Sequence, residues 1–436
     1  MKLSLLFASV LIAASPGFAQ DSLLSAREAV NAAVEQNLQV KIVRGDQEIA
    51  AINNNWGNAG RWPTVTAGLS NTEALTNLNQ QLSNGTEIIR NGATNNILNA
   101  NITGNWRVYN GMRVQASKER FEQLEKMGDI AVQQQITQVS YEVLVTYYNL
   151  VRLQQQVKAI TAIIDLSKER LHIAETRFNV GSGAKTDMLQ ASIDLNAQLT
   201  ALQNLHLQTQ NTKAVLNTLM NRDPATPIAP SDTSFIIQAV SLKDYAQRID
   251  SQNYQMLLAQ EQRNVLVQER RIINSQRLPV VSLNSTTSFN RNKASAGLFL
   301  VNQTYGPNIG VGVAIPIFNS NIFKTQLRVN QVQQRQQQQQ VDLLRTEIQR
   351  DMQVAYQEYE NALALAELES RNVKLAEENE FISSERFKKL QGNSIELRQA
   401  QLSLIEAQDR LINARFRAKL AATTLQFLAG ELDIRP

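Results

Sequence analysis

The chain is 436 residues long with a formal charge of +4, no cysteine and only 6% aromatic residues. The missing thiol excludes disulfides, thiol catalysis, thiolate metal sites and a lipid on an N-terminal cysteine. Lys and Arg are scattered rather than gathered into a basic run with interleaved aromatics, which argues against nucleic-acid binding, and so thin an aromatic content suits an elongated molecule better than a compact globule.

The first predicted element is a secretory signal over residues 1–19. Lys2 supplies the positive start, Leu3 to Ala14 the apolar core, and Gly17-Phe18-Ala19 the small-x-small cleavage site. The apolar run is about 12 residues, short of the roughly 20 that span a bilayer, and nothing later is long enough. Export without a transmembrane helix is the expectation.

Beyond the signal the sequence is written twice. Gln36-Asn37-x-Gln39 recurs as Gln252-Asn253-x-Gln255, and Asn37 precedes Pro63 by the same 26 residues as Asn253 precedes Pro279. Further along the offset changes from 216 to 209. Tyr109-Asn110 answers Phe318-Asn319, Arg177-Phe178 answers Arg386-Phe387, and Gly183 answers Gly392. A period this long lies outside the solenoid range of roughly 20–50 residues and reads as a duplicated half, the symmetry of channels and transporters. The expected domains are repeat one over 20–222, a linker over 223–240, repeat two over 241–430 and a tail over 431–436.

Each repeat opens with helix, passes into two strands and returns to long helix. The strands are expected at about 63–70, 98–109, 279–290 and 308–318. There Leu98, Ala100, Ile102 and Val108 alternate with Asn99, Asn101, Thr103 and Asn105, while Ile309, Val311 and Val313 alternate with Asn308, Gly310 and Gly312. Runs of roughly 9–11 alternating residues match a bilayer-spanning strand. Trp56, Trp62, Trp106, Tyr109 and Phe318 fall at the helix-proximal strand ends, where an interfacial girdle would sit. The opposite tips, Asn71 to Asn96 and Arg291 to Gly306, are expected to be long polar loops. Four strands cannot close a barrel and lipid does not tolerate open edges, so copies must share one: eight strands from a dimer or twelve from a trimer. A twelve-stranded barrel is wide enough to continue a hollow bundle of long helices.

The helices are long because nothing breaks them. No proline occurs between Pro63 and Pro224 or between Pro316 and Pro436, which allows helices near 65–70 residues, about 100 Å each. Ile136, Val139, Val143, Tyr147, Leu150, Leu153, Val157, Ile160 and Ile164 recur at about 3.5 residues, as do Val341, Leu344, Ile348, Met352, Ala355, Tyr359 and Ala362. These are heptad-like seams of a coiled coil or helical barrel. The run Gln336 to Gln340 is read as helix, since glutamine is a good helix former. The fold class is mostly α with a small membrane β-barrel part, in duplicated α-β-β-α halves.

This ordered set resembles the TolC-type outer-membrane efflux proteins over essentially all of the mature chain. Its carriers are Asn37-Leu38, Arg61-Trp62-Pro63, Pro316-Ile317-Phe318-Asn319, Arg177-Phe178-Asn179-Val180-Gly181 with Thr186-Asp187, the counterpart Gly392-Asn393-Ser394-Ile395-Glu396, and Leu425 to Gly430. The resemblance implies a homotrimer with a twelve-stranded barrel in the outer membrane of a Gram-negative bacterium and a twelve-helix periplasmic tunnel. It implies the exit duct of a tripartite efflux or type I secretion system, working with a periplasmic adaptor and an inner-membrane pump. The linker would lie in a belt around the tunnel. Gly181, Gly183, Lys185, Gly392 and Ser394 would form the periplasmic tips that meet the adaptor, Lys185 and Ser394 being equally readable as solvated loop. Asp187 with Thr186, and Glu396 with Gln399, would form the pore gate. Where the family often carries a second acidic residue this chain has Gln399, so the ring would hold three glutamates rather than six carboxylates. Asp187 and Glu396 also suit plain helix starts, where a carboxylate meets the positive dipole end.

No catalytic set stands out, and no cofactor or metal is expected. His172 and His206 lie in helical runs without a second ligand one turn away, and no phosphate loop or nucleophile elbow occurs. The competing reading is a secreted coiled-coil structural or adhesive protein with small solvated sheets. Such a rod needs neither a lipid-length strand nor a duplicated hairpin.

Overall fold

The computed structural model describes residues 22–237 and 241–432. The expected signal over 1–19, three residues of the linker and the last four of the tail lie outside them. In chain order the elements are β1 (Ser22–Leu24), α1 (Ala26–Gln36), α2 (Leu38–Asn53), β2 (Thr64–Gln81), β3 (Glu87–Asn110), α3 (Arg113–Asn179), α4 (Lys185–Leu219), β4 (Ile228–Pro230), α5 (Leu242–Ala246), α6 (Ile249–Gln252), α7 (Tyr254–Ser275), β5 (Val280–Ala294), β6 (Val301–Ala314), α8 (Ile322–Lys388) and α9 (Ser394–Ala429).

The duplication is written into the backbone. Helices α3 and α8 each run 67 residues, and both their ends are offset by 209. Left-handed backbone at Gly111, Met112, Gly181 and Asn221 recurs at Ser320, Asn321, Leu390 and Gly430, the same offset each time. These are the strand-to-helix corner, the first helix turn and the final helix cap, places where the chain must reverse. The Gln-Asn-x-Gln repeat is a capping device. Asn37 Oδ1 accepts from the backbone of Gln39 at 2.8 Å, and Asn253 Oδ1 accepts from that of Met256 at 3.0 Å.

One compact unit comprises the residues up to Lys41, 135–252 and the stretch from Ile348 onward. Its helices pack along the seam: Val139, Val143, Tyr147, Leu150 and Val151 of α3 are buried against Ala29, Val30 and Ala33 of α1, Leu216 of α4, Met220 just past its end, and Ile228. Each large apolar side chain so buried stabilises the fold by about 1.5–3 kcal/mol. On α8, Ile348, Met352, Ala355, Tyr359 and Ala362 are buried likewise. Ser25 and Glu28 close α1 with a capping box. Strands β1 and β4 pair in parallel, and Tyr147 donates its hydroxyl to the Leu24 carbonyl at 2.9 Å, fixing the linker's β4 against the N-terminal strand.

The other unit, residues 42–134 and 253–347, holds a four-stranded antiparallel sheet in the order β2-β3-β5-β6. The strands depart from the expected bounds. Asn71 to Asn96 is almost all hairpin, with only Leu82–Thr86 as turn, and the β5–β6 loop is confined to residues 295–300. Past the apolar band polar residues lie on both faces with Leu75, Leu78, Ile88 and Ile89 scattered among them, so alternation fades while the hydrogen-bond ladder continues. At the other end β6 stops at Ala314 instead of 318, because Pro316 has no N–H to give the ladder and leaves Phe318 outside the strand. No helix among the described residues is long and apolar enough to cross a membrane.

Candidate functional site

Register gives the sheet two unlike faces. Thr64, Asn105, Asn284 and Gly310 are paired across all four strands, and so are Thr66, Thr103, Thr286 and Asn308. Gly68, Asn101, Ser288 and Gly306 follow, then Ser70, Asn99, Asn290 and Thr304, so over these four rungs one face is Asn, Ser, Thr and Gly. The alternate rungs carry Val65 and Ile309 with Gly104 and Ser285 between them, Ala67 with Ile102, Thr287 and Pro307, and Leu69 with Ala100, Phe289 and Tyr305. That apolar face is uncovered: Leu69, Ile309, Val311 and Tyr305 are each more than 70% exposed.

The band covers β6 residues 305–313, about 27 Å of strand at roughly 3.3 Å per residue. Nine residues fall within the roughly 9–11 that a tilted membrane-spanning strand needs. Arg291 and Lys293 continue the same face of β5 just beyond it. At the helix-proximal end Trp62, Trp106 and Tyr109 are partly or largely exposed, with Trp106 Nε1 donating to the Arg61 carbonyl at 2.9 Å and the Arg61 guanidinium 4.7 Å over Trp56. Phe318 is exposed beyond the strand. Phe289 and Tyr305, paired at the far end of the band, form a second aromatic edge that the sequence reading missed. The signal was present in the strand parity, had the pairing been known.

At the helix turns Gly183 N and Gly392 N bond back to the carbonyls of Arg177 and Arg386 at 3.0 and 3.1 Å. A β-carbon at Gly183 would sit 2.7 Å from that of Arg177, so the turn closes only on glycine. Asp187 is the third residue of α4, and Glu396 the third of α9. Asn393 caps α9 by accepting from Glu396 N at 2.7 Å, while the Glu396 carboxylate receives Arg386 at 2.6 Å. Thr186, Lys185, Gly181 and Gln399 are exposed, and Ser394 and Gly392 half-buried, on those same turns. Arg177 joins the two turns, with its guanidinium 4.1 Å over the Phe387 ring and a hydrogen bond to the Phe387 carbonyl.

Above the turns lies a polar cluster that sequence reasoning did not find. Asp194 of α4 accepts from the buried Arg170 of α3 at 2.5 Å and lies 3.0 Å from Arg398 of α9. Lys388 of α8 pairs with Glu169 of α3 at 2.9 Å. Glu380 is buried on α8, and burial pushes its carboxyl above the usual range; Glu169 adds to the rise, while Gln401 and Lys388 oppose it. Nothing in the spacing of single helices marks these residues, because each partner comes from a different helix. Among the described residues no cluster of His, Asp and Glu could hold a metal ion.

Compared as a whole sequence, the chain matches no curated protein. Residues 29–222 match the family model described as outer membrane efflux protein. That match covers repeat one and makes the chain similar to this family there. The chain's fold agrees along nearly all its length with solved outer-membrane channels. It superposes on the outer-membrane channel OprN with a TM-score of 0.78 at 15% identity, covering 93% of this chain and 90% of that one. For the outer membrane protein VceC from Vibrio cholerae the values are 0.77 and 14%, covering 93% and 96%. For the CmeC outer membrane channel of Campylobacter jejuni they are 0.73 and 16%, covering 99% and 94%. The likeness to these structures shows a shared fold along nearly the whole chain.

Proposed function

We propose that the chain is a TolC-type outer-membrane efflux protein, three copies of which form one passive exit duct taking cargo from an inner-membrane pump and a periplasmic adaptor to the outside. The observation that carries this reading is the two-faced sheet: register gathers four consecutive rungs of Asn, Ser, Thr and Gly on one side and leaves a predominantly apolar band bare on the other. Strands β2 and β6 stand at the two ends of the sheet, and their outer edges have no strand partner among the described residues. In lipid they must pair with neighbouring copies, and three sheets give twelve strands with a wet interior. Trp62, Trp106, Tyr109 and Phe318 anchor the barrel at the periplasmic interface.

The turns carrying Gly181, Gly183, Lys185, Gly392 and Ser394 are the adaptor contacts in this reading. Asp187, Thr186, Glu396 and Gln399 line the periplasmic mouth. The protein does no chemistry; it conducts.

Fractionation tests the proposal. Heat-modifiable trimers that need detergent and sediment with the outer membrane support it. A soluble periplasmic or secreted product overturns it and favours the structural rod.

A further inference from the structure

The β5–β6 loop is the apolar feature that the membrane-facing band does not absorb. Leu298, Phe299 and Leu300 are consecutive, and 59–66% exposed. A loop this apolar was not expected, since the stretch from Arg291 to Gly306 reads as polar. It is held firmly: Ala294 N donates to the Leu300 carbonyl at 2.9 Å, Ser295 N to the Thr94 carbonyl at 2.9 Å, and Thr94 N to Ser295 Oγ at 2.9 Å.

Its direction follows from register. The loop crosses β3 to reach β2, where a β-carbon at Gly297 would lie 3.5 Å from Gln80 Oε1 and 3.7 Å from Leu78 Cδ2. Leu78 and Gln80 continue the even-numbered side of β2, the side of Thr64, Thr66, Gly68 and Ser70. Ala93, opposite Thr76 on that side, is buried at the loop's foot. The loop therefore leans over the polar face and away from the face fitted to lipid. Lipid is excluded as its partner.

We propose that Leu298, Phe299 and Leu300 from three copies meet over the outer mouth of the barrel and form a hydrophobic constriction. The partner is the same loop of the other two copies, which share the interior that the polar faces enclose. A ring of large apolar side chains in a narrow aqueous passage opposes wetting and so blocks ions without a charged residue. This inference rests on the trimeric duct proposed above.

The chain has no cysteine, so Phe299→Cys carries its only thiol. Outer-membrane trimers of this variant are treated with a mild oxidant, which takes two electrons and two protons from a pair of thiols, and are then resolved without reductant. Disulfide-linked dimers, together with a larger resting conductance when Leu298, Phe299 and Leu300 are all changed to serine, are the expected result. Trimers that insert normally yet give no cross-link overturn the constriction while leaving the duct intact. Wild-type protein that forms no outer-membrane trimer removes the duct itself, and the constriction with it.

Discussion

Arg386 donates to Glu396 at 2.6 Å across the α8–α9 turn, whereas Arg177 and Asp187, 209 positions earlier, make no such pair among the described residues. Arg177 lies instead on Phe387. One turn is closed by its own ion pair and the other leans on its duplicate. Equal ancestry has given unequal electrostatics: each copy presents a Glu396 already partly neutralised and an Asp187 without an ion-pair partner among the described residues.

Block by a trivalent cation from the periplasmic side, measured in planar bilayers, reads this difference. Glu396→Ala should weaken the block, and Arg386→Ala should strengthen it by freeing the carboxylate. An exposed pair of this kind contributes about 0–1 kcal/mol to stability, so neither change should prevent assembly. Unchanged block in both variants leaves Glu396 only its place at the helix start, where a carboxylate contributes about 0.3–1 kcal/mol.

The sheet register predicts which strand positions accept charge. Ile102 lies between Ala67 and Thr287 on the apolar face, and Asn101 between Gly68 and Ser288 on the polar one. Ile102→Arg should cost about 2–4 kcal/mol and Asn101→Arg much less, read from the yield of heat-modifiable trimers. Val313 pairs with Val281 close to the strand end, so Ile309 is the better site for the same comparison in repeat two. Equal yields for Ile102→Arg and Asn101→Arg would put the assignment out by one residue.

Left-handed backbone should be sensitive to side-chain identity. Leu390 has φ +61° where repeat one has Gly181, and it is largely exposed, so Leu390→Gly should raise stability by about 1 kcal/mol. Gly111 has the opposite problem: at φ +67° a β-carbon would lie 2.5 Å from the Ser275 carbonyl oxygen and 2.7 Å from Leu278 Cβ. Gly111→Ala should cost about 1–3 kcal/mol. The midpoint of heat dissociation of purified trimers measures both. A lower midpoint for Leu390→Gly would show that its side chain makes contacts stronger than the backbone strain.

Glu380 makes stability depend on pH. Its carboxyl is held above its unfolded value, chiefly by burial, so the folded chain binds a proton that the unfolded chain releases. That contribution is complete below the unfolded value, about 4.3, and is lost as pH rises through the folded one. Glu380→Gln should therefore flatten the decline in denaturation midpoint above that pH. A decline of the same slope in the variant would assign it to another group.

The duplication, the helix lengths and the seam of Val139, Val143 and Tyr147 were legible because each depends on residues near in sequence. Breakers, caps and a period near 3.5 act within one or two turns. The face of Asn99, Asn101 and Thr103 was legible for the same reason, since strand parity is local.

Other features were decided by pairing between distant segments. The sequence alone determined two repeats, long helices and strands with one apolar side. Only the tertiary structure decided that β3 of one repeat pairs with β5 of the other, that the mostly polar residues 71–81 still form strand, and that the β5–β6 loop leans over the polar face. It likewise decided that Asp194 collects arginines from α3 and α9. The physical reason is that ladder hydrogen bonds and interhelical ion pairs are satisfied by geometry across long chain separations, where neither composition nor periodicity carries a signal.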